Sequence, residues 1–226
     1  MRLVCISDTH TRHRHIMTGS ETRLRSGPMP PNLPDGDVLI HAGDCTASGT
    51  LSQLDDVAQW LGSYPHKYKL LIAGNHDYCF EREPERSREI CKKEGIIYLQ
   101  DESVTIDGVL FYGSPWTPTF RNMAFNANEE KMAELRAQIP DSVEILITHG
   151  PALRIFDWVP RDAEHAGCYP LAKRIDELSN LKAHICGHIH EGYGFATRES
   201  DGVKFVNAAS CTERYQPTNP PIVINI

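Results

Sequence analysis

The sequence has no C-x-x-C pair, no apolar run approaching a membrane span, no excess of basic residues, no internal repeat and no low-complexity linker. Its seven cysteines, at 5, 45, 79, 91, 168, 186 and 211, are odd in number and unpaired in pattern, which argues against a disulfide framework or a cysteine zinc site and predicts reduced, buried thiols. Twenty-three Lys plus Arg against 30 Asp plus Glu leave a net charge of −7, the wrong balance for a stable grip on a nucleic-acid backbone. The opening MRLVCISDTH lacks the hydrophobic region of a signal peptide, so a cytoplasmic location with no membrane partner is expected. Hydrophobic residues at 40% and charged residues at 23% are ordinary for a globular protein, and 226 residues suffice for one large domain, taken as 1–226.

Histidine is the residue in surplus, with eleven copies, and its placement is more telling than its number. Residues 70–77 read LLIAGNHD: an unbroken apolar run of the kind found in a strand covered on both faces, a glycine that permits close backbone approach, then Asn75, His76 and Asp77. Polar residues at the carboxyl end of such a strand lie where α/β folds collect ligand and catalytic groups. The pattern recurs along the chain. Leu3 to Ile6 runs into Asp8 and His10, two apart and able to face one centre from an extended backbone. Residues 37–42 run into Gly43-Asp44, residues 143–147 into Thr148-His149-Gly150, and residues 183–186 into Gly187-His188-Ile189-His190.

Between these strands the spacing predicts helices over 51–64, 84–94, 129–139 and 170–178, two of them opening on proline. The strand–helix–strand order from residue 37 to residue 73 predicts parallel strands with a right-handed crossover. After residue 95 the pattern changes: short strands are expected at 96–99, 104–106 and 109–112, the last two joined by the hairpin signal Asp107-Gly108, so the middle of the chain reads as antiparallel, and strands at 204–208 and 222–226 complete the sheet count. Residues 11–34 read as a long surface loop. Residues 114–128, with Trp116, Phe120 and Phe125, read as an aromatic cover near the site.

Seven candidate ligands, Asp8, His10, Asp44, Asn75, His149, His188 and His190, exceed what one ion can use. Imidazole, carboxylate and amide donors suit Mn²⁺, Fe or Zn²⁺ better than Ca²⁺ or Mg²⁺, and a pair of ions would clamp the attacking and leaving oxygens of an in-line displacement.

D-x-H, G-D, G-N-H-D, H-G-P and G-H-x-H, in this order from Asp8 to His190, resemble the motif set of the calcineurin-like metallophosphoesterases. The segments GSPWTPTF, THGP, HEGYG and QPTNPP are similar to the small metallophosphoesterase-domain subfamily, which acts on phosphodiesters such as cyclic nucleotides. The resemblance implies a mixed two-sheet α/β sandwich flanked by helices in four layers. It implies a first metal on Asp8, His10 and His190, a second on Asn75, His149 and His188, and Asp44 bridging them, with manganese the foremost candidate. It further implies attack on a small phosphodiester by a metal-bridging hydroxide, with His76 as the catalytic histidine and Asp77 orienting it. Thr148 and Cys45 depart from the family pattern without removing a ligand. A non-enzymatic scaffold, a nuclease and a phosphomonoesterase on the same fold are the rival readings.

Overall fold

Strand residues of this chain alternate between two apolar environments, and that alternation builds the layers. The computed structural model describes residues 1–16 and 33–226. In chain order the strands are β1 Arg2–Ile6, β2 Val38–Ala42, β3 Tyr68–Ile72, β4 Ile97–Tyr98, β5 Glu102–Ile106, β6 Val109–Ser114, β7 Thr117–Pro118, β8 Asn126–Ala127, β9 Ile145–Thr148, β10 Trp158–Val159, β11 Glu164–His165, β12 Ala183–Cys186, β13 Gly194–Thr197, β14 Lys204–Asn207 and β15 Ile222–Asn225. The α-helices are α1 Leu51–Gly62, α2 Cys79–Arg82, α3 Pro84–Lys93, α4 Glu129–Ala137 and α5 Tyr169–Glu177.

The first sheet has the order β15-β1-β2-β3-β4 and the second β13-β14-β12-β9-β6-β5. Their facing sides share one core: Leu3, Val38, Ile40, Leu70 and Ile72 from the first meet Phe111, Ile145, Ile147, Ile185 and Val206 from the second. Because side chains alternate along a strand, the intervening residues point outward. Val4, Leu39 and Leu71 pack with Leu54, Val57 and Leu61 of α1 and Cys91 of α3. Tyr112, Leu146 and Phe205 pack with Met132 and Leu135 of α4 and Leu171 and Ile175 of α5. The result is the expected mixed sandwich of two sheets between two helical layers.

Strands β1, β2, β3 and β4 are mutually parallel, as are β6, β9, β12 and β14. Their carboxyl ends therefore gather at one edge of each sheet. A bridge between Ser7 and Ala209, with Ser210 N donating to Ser7 O at 2.8 Å, ties those edges together.

Several expectations need adjustment. The strand expected over 96–99 shrinks to the two residues of β4, and the aromatic segment contains the parallel pair β7 and β8. Of the loop expected over 11–34, residues 17–32 lie outside the described residues, while His13–His15 forms a 3₁₀ turn. Among the described residues no helix is long and apolar enough to cross a membrane.

Candidate metal centre

Each candidate ligand leaves the carboxyl end of a strand, and the structure brings all seven to one place. Ligand atoms form three mutually close groups: Asp8, His10 and His190; His10, Asp44 and His76; Asp44, His149 and His188. Asp44 belongs to two of them because its Oδ2 lies 3.8 Å from His10 Nε2 and 3.4 Å from His149 Nε2. Asn75 Oδ1 lies 3.0 Å from His149 Nε2, and His190 Nε2 is 3.4 Å from Asp8 Oδ1 and 3.3 Å from His10 Nε2.

The route to this convergence differs from the sequence expectation. Asp8 and His10 do not share a face by extension: their φ values are +50° and +43°, and His188 is at +68°. The chain turns sharply after β1 and after β12 because short side chains reach a common centre only if the backbone itself approaches it. Two glycines make that approach feasible. A Cβ on Gly74 would sit 2.3 Å from Asp44 Oδ1, and one on Gly187 would sit 2.1 Å from Asp8 Oδ2.

Each carboxylate is held by one oxygen and presents the other. His76 N donates to Asp44 Oδ1 at 2.7 Å, and His188 N donates to Asp8 Oδ2 at 2.9 Å. Asp8 Oδ1 is left buried with no hydrogen-bond partner, an expensive arrangement unless a cation completes it. The imidazoles are aimed in a similar way. Nδ1–H donates to Ala42 O from His149 at 3.0 Å, to Thr212 O from His190 at 2.8 Å, and to Ala47 O from His76 at 3.0 Å. In each case this leaves Nε2 facing the centre, the outer-shell device by which ligand histidines are fixed.

Electrostatics reinforce the picture. At Asp44 burial works against ionisation, but the charge and hydrogen bond of His149 outweigh it and hold the carboxyl well below its usual range. Asp8 is lowered likewise, burial again being overcome by His190 and His149. Burial opposes charge on His149 and His190 too, yet Asp44 and Asp8 push both up to about 9. His10 and His188 are dominated by burial and fall to about 4. Since His10 is neutral, its 3.8 Å approach to Asp44 is not an ion pair.

Asp77 requires a correction, because it does not touch the His76 ring. Its buried carboxylate accepts from Gly74 N at 2.9 Å, Thr46 N at 2.8 Å, Thr46 Oγ1 at 2.6 Å and Cys45 N at 3.2 Å. It therefore splices the loop after β2 to the loop after β3. The ring of His76 is steadied by the Ala47 carbonyl instead.

Three further residues escaped the sequence reading. His41 in β2 and His184 in β12 are buried and contact Thr9 and Thr148, the neighbours of candidate ligands. Tyr215 lies T-shaped to the rings of His10 and His190, at centroid distances of 4.8 Å and 5.4 Å. Only the THG and DTH strings hinted at the threonines, and nothing local to Tyr215 signalled it. A cavity of about 610 Å³ between α4 and α5 is lined by none of the candidate ligands.

Residues 1–192 match the family model described as Calcineurin-like phosphoesterase. The chain is a calcineurin-like phosphoesterase. Over its full length this phosphoesterase is 40% identical to Metallophosphoesterase domain-containing protein 1 of Homo sapiens, covering 71% of that protein. It is 35% identical to the UPF0046 protein K07C11.7 of Caenorhabditis elegans, covering 75% of it. The fold is shared with TT1561 of Thermus thermophilus, at a TM-score of 0.59 and 11% identity over 92% of this chain and 88% of that one. A dimetal phosphatase from Danio rerio superposes at 0.50, with 10% identity over 92% and 86% of the two chains. The family depends on a dinuclear metal centre, and the clustered donors of this phosphoesterase fit one: an orphaned carboxylate oxygen, a carboxylate shared between two groups, and imidazole nitrogens aimed inward.

Proposed function

We propose that this phosphoesterase, a single domain over 1–226, is a dinuclear metal-dependent phosphodiesterase acting on small diesters such as cyclic nucleotides. The observation that carries the reading is the set of overlapping donor groups joined through Asp44. Asp8, His10 and His190 would hold one ion and Asn75, His149 and His188 the other, with Asp44 common to both. The nitrogen-rich donor set favours Mn²⁺, with Fe or Zn²⁺ as alternatives. When bound, such a pair supplies Lewis acidity that brings water toward ionisation near neutral pH and offsets charge accumulating at phosphorus.

The remaining work falls to the protein. His76, half-buried at the mouth, keeps Nδ1–H on Ala47 O, so its imidazolium form offers the Nε2 proton toward the centre, where a departing ester oxygen would lie. The Ala47 carbonyl accepts from the ring in both protonation states, so proton transfer needs no reorientation. Asp77 and Thr46 hold the loop that carries His76.

The test is hydrolysis of bis(p-nitrophenyl) phosphate and p-nitrophenyl phosphate by metal-stripped protein with Mn²⁺, Zn²⁺ or Mg²⁺ returned, followed by cyclic nucleotides. Metal-dependent cleavage favouring the diester is expected. His76→Asn should lower kcat by about 10²–10⁴ on an alkyl-leaving diester and far less on a p-nitrophenyl one. Equal losses on both would contradict the acid role, and inactivity with every metal in a protein carrying two ions would turn the reading toward an interaction scaffold.

A further inference from the structure

An arginine is buried behind one half of the metal centre, and the chemistry above does not use it. Arg136 of α4 is 1% exposed, among the largest fully buried side chains of the described residues. Burying a guanidinium is costly unless its charge and its N–H groups are answered. Here the answer to the charge comes at one remove. Arg136 Nη1 donates to Ser114 Oγ and Nη2 to the Trp116 carbonyl, both at 2.7 Å. The Ser114 hydroxyl in turn donates to Asp101 Oδ1, and the Trp116 indole N–H to Asp101 Oδ2, again both at 2.7 Å. Arginine and aspartate are thus linked across a hydroxyl, and between them they clasp the end of β6 and the start of the segment that follows it.

That segment is the root of the aromatic cover over residues 114–128, and the cover meets two candidate ligands. Ser114 O accepts from His149 N at 3.3 Å, so the end of β9 that carries His149 hangs on a clasped residue. Thr117 lies against the residue after it, since a Cβ on Gly150 would come within 3.2 Å of Thr117 Cγ2. Farther along the cover, Ala124 N donates to Asn75 O at 3.1 Å and fixes the backbone of the other ligand. The two contacts are joined within the cover: Thr117 N donates to Phe125 O at 2.9 Å, and the Trp116 and Phe125 rings are T-shaped at 5.5 Å. Asp8 and His190, by contrast, take their supports from His188 N and the Thr212 carbonyl.

We propose that Arg136 is a positioning residue for one of the two metal positions: through Ser114 and Trp116 it fixes the cover that sets Asn75 and His149, and it does not act on the position of Asp8, His10 and His190. The proposal rests on the dinuclear reading of the centre and divides the support of its two halves.

Mn²⁺ binding to the whole chain tests this, by equilibrium dialysis over graded free Mn²⁺ with electron paramagnetic resonance of the loaded protein. Arg136→Met should raise the dissociation constant of one ion about tenfold, the lower range for damage behind a metal ligand, and leave the other unchanged. At intermediate Mn²⁺ the exchange-coupled signal of an ion pair should give way to that of an isolated ion. Ser114→Ala removes the bridging hydroxyl with less loss of volume and should weaken the same ion, which keeps the test decisive if Arg136→Met fails to fold. Combining either substitution with Asn75→Ala identifies the ion. With the Asn75 position already crippled, the remaining ion should bind as it does in Asn75→Ala alone. Both ions weakened together, or a further loss in the combined variant, would overturn the proposal by making the arginine a general brace of the fold. Unaltered binding of both ions in the single variants would overturn it as well. A wild type that holds one ion would sink the dinuclear reading and this proposal with it, whereas two ions in the wild type and in unaltered variants would sink the proposal alone.

Discussion

The two sheets reach the same centre with different chemistry. The first contributes both carboxylates and the amide, through Asp8, Asp44 and Asn75, along with His10 and His76; the second contributes only imidazoles, through His149, His188 and His190. Behind this asymmetry lies a shared scaffold. In each sheet a central strand carries a buried histidine on its outer side, His41 in β2 and His184 in β12. Each sets Nε2 against a threonine hydroxyl beside a candidate ligand: Thr9 at 2.9 Å between Asp8 and His10, and Thr148 at 2.8 Å before His149. Both hydroxyls give their proton to a carbonyl, of Cys45 at 3.4 Å and Gly150 at 2.7 Å. Each histidine must therefore donate from Nε2, leaving a bare Nδ1 without a partner. Support is thus duplicated between the sheets while ligand type is divided. Carboxylates need close backbone approach, and the facing glycines Gly74 and Gly187 allow it.

The largest expected effect comes from removing that approach. Gly187→Ala would drive a Cβ into Asp8 Oδ2 and Ser7 Oγ, and Gly74→Ala would do the same at Asp44. Each should weaken metal binding by about 100-fold, the upper range for outer-shell damage, as read by calorimetric titration. Wild-type affinity in Gly187→Ala would break the claim that glycines admit the carboxylates.

A smaller effect sharpens the likeness between the sheets. Thr148→Val and Thr9→Val each strand a buried imidazole N–H, at a cost of about 1–3 kcal/mol in urea unfolding. Thr148→Val should be the worse of the two, because its hydroxyl also makes the shorter carbonyl bond. The reverse order would show the supports to be unequal in the other sense.

At neutral pH protonation of the buried histidines has no such effect, and its influence enters only as a pH dependence. Burial lowers His41 and His184 to about 3, against an unfolded value near 6.5. Between those values the unfolded chain takes up a proton that the folded chain refuses. Their contribution to stability is thus complete above about pH 6.5 and is lost as pH falls toward 3. The slope is about 1.4 kcal/mol per pH unit for each histidine. His184→Gln should remove one histidine's share of the slope in urea melts between pH 6.5 and 4.5, and an unchanged slope would contradict the buried neutral assignment.

The ligand loops were legible in the sequence because an apolar run ending in a polar residue is a local signal, repeated at β1, β2, β3, β9 and β12. What escaped was non-local. Asp77 follows His76 directly, yet apart from Gly74 N its partners lie 31–32 residues earlier in the loop after β2. Tyr215 meets His10 across most of the chain. β13 is four residues beginning with glycine and largely exposed, too short and too polar in setting to leave an alternation. The positive φ values at Asp8 and His10 were hidden because aspartate and histidine carry no glycine-like mark of a left-handed turn.

The central claim is that both sheets share one dinuclear centre through Asp44. Metal content after equilibrium dialysis against Mn²⁺, measured for the wild type beside Asp44→Asn and Asp8→Asn, tests it most directly. Two ions per chain are expected in the wild type, with Asp44→Asn losing affinity at both positions and Asp8→Asn at one. Two ions retained at wild-type affinity in Asp44→Asn would contradict the shared centre.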